Sequence, residues 1–360
     1  MPVRRLILLL CLFAAGGAFA FAGAVGLTWW VDPQHERYDP AILTRADASA
    51  QPCRMTTELI GDSPAIAGFK LDVLRRHDPS VIVVGISRAL EIRSWPGEKG
   101  FANMGTPGLG PASALTVVEH VHDVHPGPVT VYLDVEPAWT NAGWSPFVDF
   151  GLTPVQRLRR YVSSAGLLAS VRFLASHPGT DPGAIAVSRR GGQCVLHLPG
   201  QTDAPPLWYA DGSIQWAAEN KLRLEADPPG VGVAGLSAVD PARIAQIDRL
   251  LMRMHQFGWH VVGFTPPLAP WKVAFLRTRP GDMRALAGFD GAMHRLLGRY
   301  GAPYVDLLQY PQKIACTTAN FTAGDALHPD GACSARLRRM LDGLAAGRAS
   351  QAAQSTASGG

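Results

Sequence analysis

The stretch SVIVVGISR at 80–88 sets the strongest limit on what this chain can fold into. Val81, Ile82, Val83 and Val84 follow one another with no polar residue between them, so a strand built from them has no solvent face. Such strands belong to parallel sheets covered by helices on both sides. The run stops at Gly85 and delivers Ser87 into a turn. A hydroxyl therefore falls beyond the carboxyl end of a central strand, where open α/β sheets bind their ligands.

The remaining chain keeps the same alternation. Phe69, Val73 and Leu74 predict a helix over 67–77 that Asp78-Pro79 ends. One helical turn or more over 88–93, a glycine-rich loop at 101–110 behind a short strand, a helix over 112–125 and the strand VTVYLD at 129–134 come next. The apolar face formed by Val155, Leu158, Val162, Leu167, Leu168, Val171 and Leu174 predicts an amphipathic helix over 153–177. Helices over 241–257, 284–300 and 329–345 then alternate with strands over 259–264 and 303–308. That rhythm implies an α/β fold with a mostly parallel sheet covered on both faces. At 178–236 glycine and proline increase and periodicity weakens, which reads as an insertion or lid. Its Trp208, Tyr209 and Trp216 either stack on sugar rings or pack the cover down.

Arg4 and Arg5 precede a charge-free run over 6–30, about 25 residues, long enough to span a hydrocarbon core of ~30 Å. The arginines predict a cytoplasmic N-terminus, and Trp29 and Trp30 are placed as interfacial anchors. A cleaved signal peptide is the other reading, since Ala18-Phe19-Ala20 has small residues at a cleavage spacing. Either way the rest of the chain is exported. The expected organisation is a cytoplasmic stub and signal anchor at 1–31, a membrane-proximal linker at 32–64, the main domain at 65–346 and a small, polar, disordered tail at 347–360. With Cys11 in the apolar segment, Cys53, Cys194, Cys316 and Cys333 remain, and four cysteines allow three pairings. Pairing Cys316 with Cys333 would clasp the loop between them and leave Cys53 with Cys194; four free thiols are the alternative. A chain of 360 residues with 47% hydrophobic composition can bury a full core, and its +4 formal charge is scattered, unlike a nucleic-acid footprint.

Ser87 needs a base, because a serine hydroxyl is protonated at neutral pH, and the pKa of histidine suits that task. Asp325-Ala326-Leu327-His328 supplies an imidazole and, three residues earlier, a carboxylate able to fix its tautomer. Backbone N–H groups of Ser87 and Gly105, with Asn103 beside them, are the expected oxyanion donors. Arg88 is expected as a solvated helix residue, or else to orient an anionic group or fasten the nucleophile loop. Asp134 lines the pocket or caps a strand end. A metal reading attaches to Glu119, His122 and His125, but histidines on a solvated helix end are the commoner explanation; no Cys/His spacing suggests zinc, so no metal is expected.

The order Gly85-Ile86-Ser87, Asn103-Met104-Gly105 and Asp325-x-x-His328 before a final helix resembles the SGNH (GDSL-type) hydrolase superfamily. Within it the chain is similar to the membrane-anchored bacterial branch that carries Gly-x-Ser-Arg in place of Gly-Asp-Ser, and Trp29-Trp30-Val31-Asp32-Pro33 also fits that branch. The resemblance covers about 29–345. A literal Gly61-Asp62-Ser63 is preceded only by Leu59 and Ile60 and followed by Pro64, so no buried strand feeds it, and Ser87 is preferred as nucleophile. The resemblance implies a flavodoxin-like three-layer α/β/α domain with Ser87, His328 and Asp325 as the catalytic set and Arg88 and Asp134 in contact with substrate. It implies ester chemistry on acyl groups of cell-envelope glycans at the periplasmic face of the inner membrane, with no cofactor and with a membrane-bound acyltransferase as a possible partner. No Gly-x-Asn-Asp block follows the 129–134 strand, so the third oxyanion donor has no counterpart. A catalytically inactive, SGNH-shaped binding or assembly factor for envelope polysaccharide is the competing expectation.

Overall fold

The computed structural model describes residues 2–32, 41–47, 53–60, 64–144, 154–181, 186–190, 193–198, 206–215, 239–321 and 326–357. Its strands are β1 (Cys53–Thr56), β2 (Val81–Val84), β3 (Phe101–Asn103), β4 (Thr130–Asp134), β5 (Ala186–Arg190), β6 (Gln193–His197), β7 (Leu207–Tyr209), β8 (Ile214–Gln215), β9 (His260–Thr265) and β10 (Tyr304–Asp306). One sheet has the spatial order β3-β2-β4-β9-β10 with every pair parallel. Counted in its own chain order this is 2-1-3-4-5, the flavodoxin-like doubly wound arrangement, and its switch point lies between β2 and β4.

Residues of one strand alternate between two cores. Ile82, Val84, Val131 and Leu133 join a cluster with Phe69, Val118, Leu250 and Phe289, which belong to the helices Pro64–His77, Pro111–Val124, Pro241–Gln256 and Pro280–Arg299. Val83, Tyr132, Val262 and Phe264 pack on the other side with Leu337 and Leu341 of the helix Gly331–Ala357. Helix starts are set by local chemistry. Asp240 accepts from Ala242 N (2.8 Å) ahead of Pro241, whose missing N–H costs nothing in a first turn. The expected helix over 153–177 is instead two, Pro154–Tyr161 and Ser164–Ser176, because Ser163 takes an extended backbone and its hydroxyl accepts from Gly166 N (3.0 Å). Pro270–Arg277 is a further helix, and the final one continues to Ala357 rather than ending at 345. The alanines of that extension explain its helicity.

The expected linker over 32–64 is not one. It contains the helix Ala41–Asp47 and β1, and β1 is the central strand of a second sheet ordered β5-β6-β1-β7-β8. The other four strands come from the 178–236 insertion. Cys53 and Cys194 are directly paired across β1 and β6 and bonded as a disulfide, with Cα atoms 4.5 Å apart. Cys316 and Cys333 form a second bridge, Cα atoms 5.5 Å apart. Both match the pairing favoured from the sequence, and Cys11 is left as the free thiol.

The N-terminal helix Pro2–Val31 includes an apolar span, Cys11–Val31, long enough to cross a bilayer. Together with two disulfides it is consistent with a membrane-attached chain whose domain lies on an oxidising side. Alkylation of the denatured but unreduced chain is expected to modify Cys11 alone. Peptide mass spectrometry showing label on Cys53, Cys194, Cys316 or Cys333 would contradict the two bridges.

Candidate functional site

β2 ends at Val84, and the chain turns sharply over Gly85 and Ile86 into the 3-10 turn Ser87–Ala89. Gly85 is required there by close approach. A Cβ on it would overlap the side chain of Asp134, which crosses from the end of β4. Ala89 N and Leu90 N close the turn onto the carbonyls of Ile86 and Ser87. The first N–H groups of such a turn have no partner within it, and the Ser87 N–H is one of them.

The histidine arrives from the opposite end of the sequence. Ala269 N donates to Ala326 O (3.0 Å), and Asp330 N donates to Asn320 O (2.6 Å), so the loop before the last helix is fastened on both sides. Asp330 caps that helix by accepting from Cys333 N (2.8 Å), and the Cys316–Cys333 bridge ties the same turn to the preceding loop. Held in this way, His328 Nε2 lies 2.8 Å from Ser87 Oγ. Both side chains are half-buried, within reach of a solute. The structure thus brings together residues 241 positions apart at the switch point of the parallel sheet. Asp325, Ser63 and Trp216 lie outside the described residues.

Arg88 is neither solvated nor free to meet a ligand. It is 3% exposed. Nη1 donates to both carboxylate oxygens of Glu136 (2.8 and 2.7 Å), Nη2 to the carbonyls of Pro266 and Pro267 (2.5 and 2.8 Å), and Nε to Leu327 O (3.2 Å). All five guanidinium hydrogens are thereby directed at protein acceptors. Of the expected roles, fastening the nucleophile loop fits this geometry and anion binding does not. Asp134 is also fully buried, and its Oδ2 accepts from Ile86 N (3.1 Å) beneath the nucleophile turn. Its other oxygen receives no N–H or hydroxyl donor. Burial, then the nearby Glu136, push the Asp134 carboxyl well above the carboxylate range, opposed by Arg88. Burial raises Glu136 as well, opposed by Arg88. Asp134 is therefore a support for the turn rather than a group that lines an open pocket.

The loop after β3 is locked with equal economy. Met104 N and Thr106 N donate to Val83 O and Gly85 O (2.8 and 2.9 Å), which sets Gly105 beside the nucleophile turn. The Gly105 N–H donates to Asn103 Oδ1 (2.9 Å). Asn103 Nδ2 donates to the carbonyls of Ala89, Leu90 and Ile92 (2.9, 3.3 and 2.9 Å), so its amide braces the turn that follows Ser87. Of the three expected oxyanion donors, the Gly105 N–H and the Asn103 amide are thus engaged within the protein.

The second sheet buttresses this arrangement. Asn103 N donates to Asp211 O (2.8 Å), Ile214 N to Leu90 O (2.9 Å), and Ser94 N to Asp211 Oδ2 (2.8 Å). Lys70, wholly buried, donates from Nζ to Asn103 O (2.6 Å) and to Gly212 O, and lies 5.0 Å from the centre of the Trp208 ring. Burial holds the Lys70 amine well below its ordinary pKa, with Asp211 opposing. Gly212 takes a positive φ of 84°, and a Cβ there would strike Asn103 O. Trp208 is buried against Phe69, and the Tyr209 hydroxyl accepts from Arg93 (2.8 Å), so these aromatics pack the insertion down. His122 stacks on Phe257 (3.6 Å between centroids) and His125 Nδ1 contacts Asp78, which gives those histidines structural partners. Among the described residues, no group of three or more His, Cys, Asp or Glu side chains has metal-binding geometry.

Sequence reasoning assigned no role to Glu136, Lys70 or Asp306. For Glu136 a signal existed: an acid two residues past Asp134, leaving a strand at the switch point, opposite an arginine that follows the nucleophile. No protein-family model matches this chain, and no curated protein matches it.

Replacing Arg88 by methionine strands the Glu136 charge in the interior and is expected to cost about 3–5 kcal/mol at pH 7. Arg88→Met with Glu136→Gln should recover part of it. Urea unfolding followed by tryptophan fluorescence checks this, and a change within about 0.5 kcal/mol, as for a surface residue, would contradict the clamp. Burial also raises Asp306, at the end of β10, to about 6 from 3.8. Because the folded state then holds the proton more tightly than the unfolded chain, Asp306 lowers stability as pH rises from about 4 to about 6, by on the order of 2–3 kcal/mol. Asp306→Asn, which keeps an acceptor for Leu308 N, is expected to flatten that decline in the same assay.

Proposed function

We propose that this chain is a membrane-tethered serine esterase or O-acyltransferase of the SGNH type, acting on acyl esters of cell-envelope glycans. The observation that carries the reading is the 2.8 Å approach of His328 Nε2 to Ser87 Oγ at the carboxyl edge of a 2-1-3-4-5 parallel sheet. The imidazole takes the hydroxyl proton as Oγ attacks the ester carbonyl carbon. The resulting oxyanion is met by the Ser87 N–H, an interaction worth on the order of 3 kcal/mol per donor. A contribution from the Gly105 N–H requires it to share or leave Asn103 Oδ1. When the tetrahedral intermediate collapses, the ester C–O bond breaks and His328 returns the proton to the departing alkoxide, which leaves an acyl group on Ser87. Water or a sugar hydroxyl then gives its proton to His328 and takes the acyl group. Asp325, by the family resemblance, orients the imidazole through its other nitrogen.

Esterase and transferase differ only in that second acceptor, so exclusion of water decides between them. The apolar N-terminal helix and the two disulfides support a domain at the periplasmic face of the inner membrane, where a membrane-bound acyltransferase would supply acyl groups. One observation favours a second reading, a non-catalytic factor that binds envelope polysaccharide: Asn103 and the Gly105 N–H are committed within the protein.

A fluorophosphonate probe is expected to label the full chain in detergent, and Ser87→Ala and His328→Ala should each abolish labelling. A folded wild-type chain that takes no label would favour the binding factor, and labelling that survives Ser87→Ala would remove Ser87 as nucleophile.

A further inference from the structure

Five of the seven residues of the apolar face predicted over 153–177 point outward in the folded chain, while Leu167 and Leu174 are half-buried. Val155, Leu158, Val162, Leu168 and Val171 are between 39% and 60% exposed. Outside this segment and the N-terminal helix, the exposed large apolar residues among the described residues are Val124, Val187, Met252, Phe275 and Tyr310, spread along the chain. An amphipathic helix normally turns its apolar stripe to the core, so a concentrated outward stripe marks a surface for another apolar phase.

The position of these helices identifies that phase. Both Pro154–Tyr161 and Ser164–Ser176 pack against the N-terminal helix Pro2–Val31. Burial along that helix is confined to its end: residues 11–23 are exposed, Ala24, Val25 and Leu27 are half-buried, and Thr28 and Val31 are buried. Tyr161 closes the junction by donating from its hydroxyl to Asp32 Oδ1 (3.1 Å). On Ser164–Ser176 the buried residues are Gly166 and Ser170, one turn apart, and the Ser170 hydroxyl returns to Gly166 O (2.9 Å). Small residues at that spacing let helices approach closely, as they do in bilayers. The helices therefore sit beside the last two turns of the apolar span, next to Trp29 and Trp30, which are half-exposed and mark the boundary between hydrocarbon and water. Arg159 and Arg172 are exposed on the same two helices, as basic residues are on helices that lie in a headgroup layer.

We propose that Pro154–Tyr161 and Ser164–Ser176 form a second, non-spanning membrane contact, in which Val155, Leu158, Val162, Leu168 and Val171 enter the leaflet where the N-terminal helix emerges. The surface they offer is continuous with the lipid-facing surface of that helix, which is why the occupant is the bilayer and not a second protein. This rests on the reading that Cys11–Val31 enters the membrane. The contact turns a flexible tether into a fixed seat and holds the parallel-sheet domain at a set height and orientation above the lipid.

The test uses the full chain carrying Cys11→Ser, with single added cysteines at Leu168, Val171, Phe19 and Met252, spin-labelled in vesicles of phosphatidylethanolamine and phosphatidylglycerol. Labels at Leu168→Cys, Val171→Cys and Phe19→Cys are expected to relax several-fold more with oxygen than with a water-soluble nickel chelate, and Met252→Cys the reverse. Leu168→Cys and Val171→Cys behaving like Met252→Cys, while Phe19→Cys stays in lipid, would overturn the second contact and leave the anchor standing. A water-exposed Phe19→Cys would overturn both. Spectral broadening at Leu168→Cys that disappears on dilution with lipid would place a second copy on this face and also overturn the proposal. The exposed sites tolerate substitution, and two independent positions guard against a local artefact.

Discussion

Arg88 and Glu136 form the interaction on which the site depends. A guanidinium buried to 3% exposure is costly unless each of its hydrogens finds an acceptor, and here the acceptors come from three distant segments. Glu136 follows β4, Pro266 and Pro267 follow β9, and Leu327 immediately precedes His328. One side chain adjacent to Ser87 thus ties together the ends of two strands and the loop that carries His328. The planar guanidinium points its three nitrogens at three separate segments, Nη1 at Glu136, Nη2 at the prolines and Nε at Leu327, a spread that the single ammonium of lysine cannot reproduce. Position, not ligand binding, is what this residue supplies.

Around that clamp the protein gathers buried acids whose neutral forms burial favours. Asp134 and Glu136 are both raised by burial and share a site with one cation, so a proton between them lowers the cost of keeping two carboxyls together. Asp134 in turn receives the Ile86 N–H, and Gly85 exists to let that side chain pass. The turn that presents Ser87 is consequently supported from beneath by β4, from the side by the Asn103 amide, and from beyond by the Asp211–Ile214 hairpin of the second sheet. Lys70, buried between two carbonyls, links that hairpin to the end of β3. The insertion is a buttress, and its staple to β1 through Cys53–Cys194 makes β1 part of the same body.

The parts of this arrangement legible in the sequence were those with a local physical signature. Four β-branched residues in a row identify a doubly covered strand without any neighbour in view, and Pro79 and Gly85 mark its two ends by backbone rules. Ser87 and His328 were legible because their chemistry is scarce and their positions, after the first strand of the parallel sheet and before the last helix, are tied to topology. β1 was hidden: four residues bounded by polar sequence have no periodicity of their own, and their partner strands lie more than a hundred residues downstream. The role of Arg88 stayed open among three alternatives for a related reason, since nothing near it in the chain chooses between solvent, a ligand and the carbonyls of Pro266, Pro267 and Leu327 that the fold brings around it.

The sequence by itself determined the α/β class, the alternation of strands and helices, the apolar N-terminal span and the residue types available for chemistry, because each depends on propensities and patterns within about a dozen residues. Only the tertiary structure decided that the 2.8 Å meeting of Ser87 and His328 occurs, that Arg88 is a clamp, that Asn103 braces a turn, and that the 154–176 helices turn their apolar faces outward beside the membrane span. Those outcomes depend on which distant groups share a buried volume, and burial, which sets the cost of every unpaired charge and donor, is a property of the assembled fold.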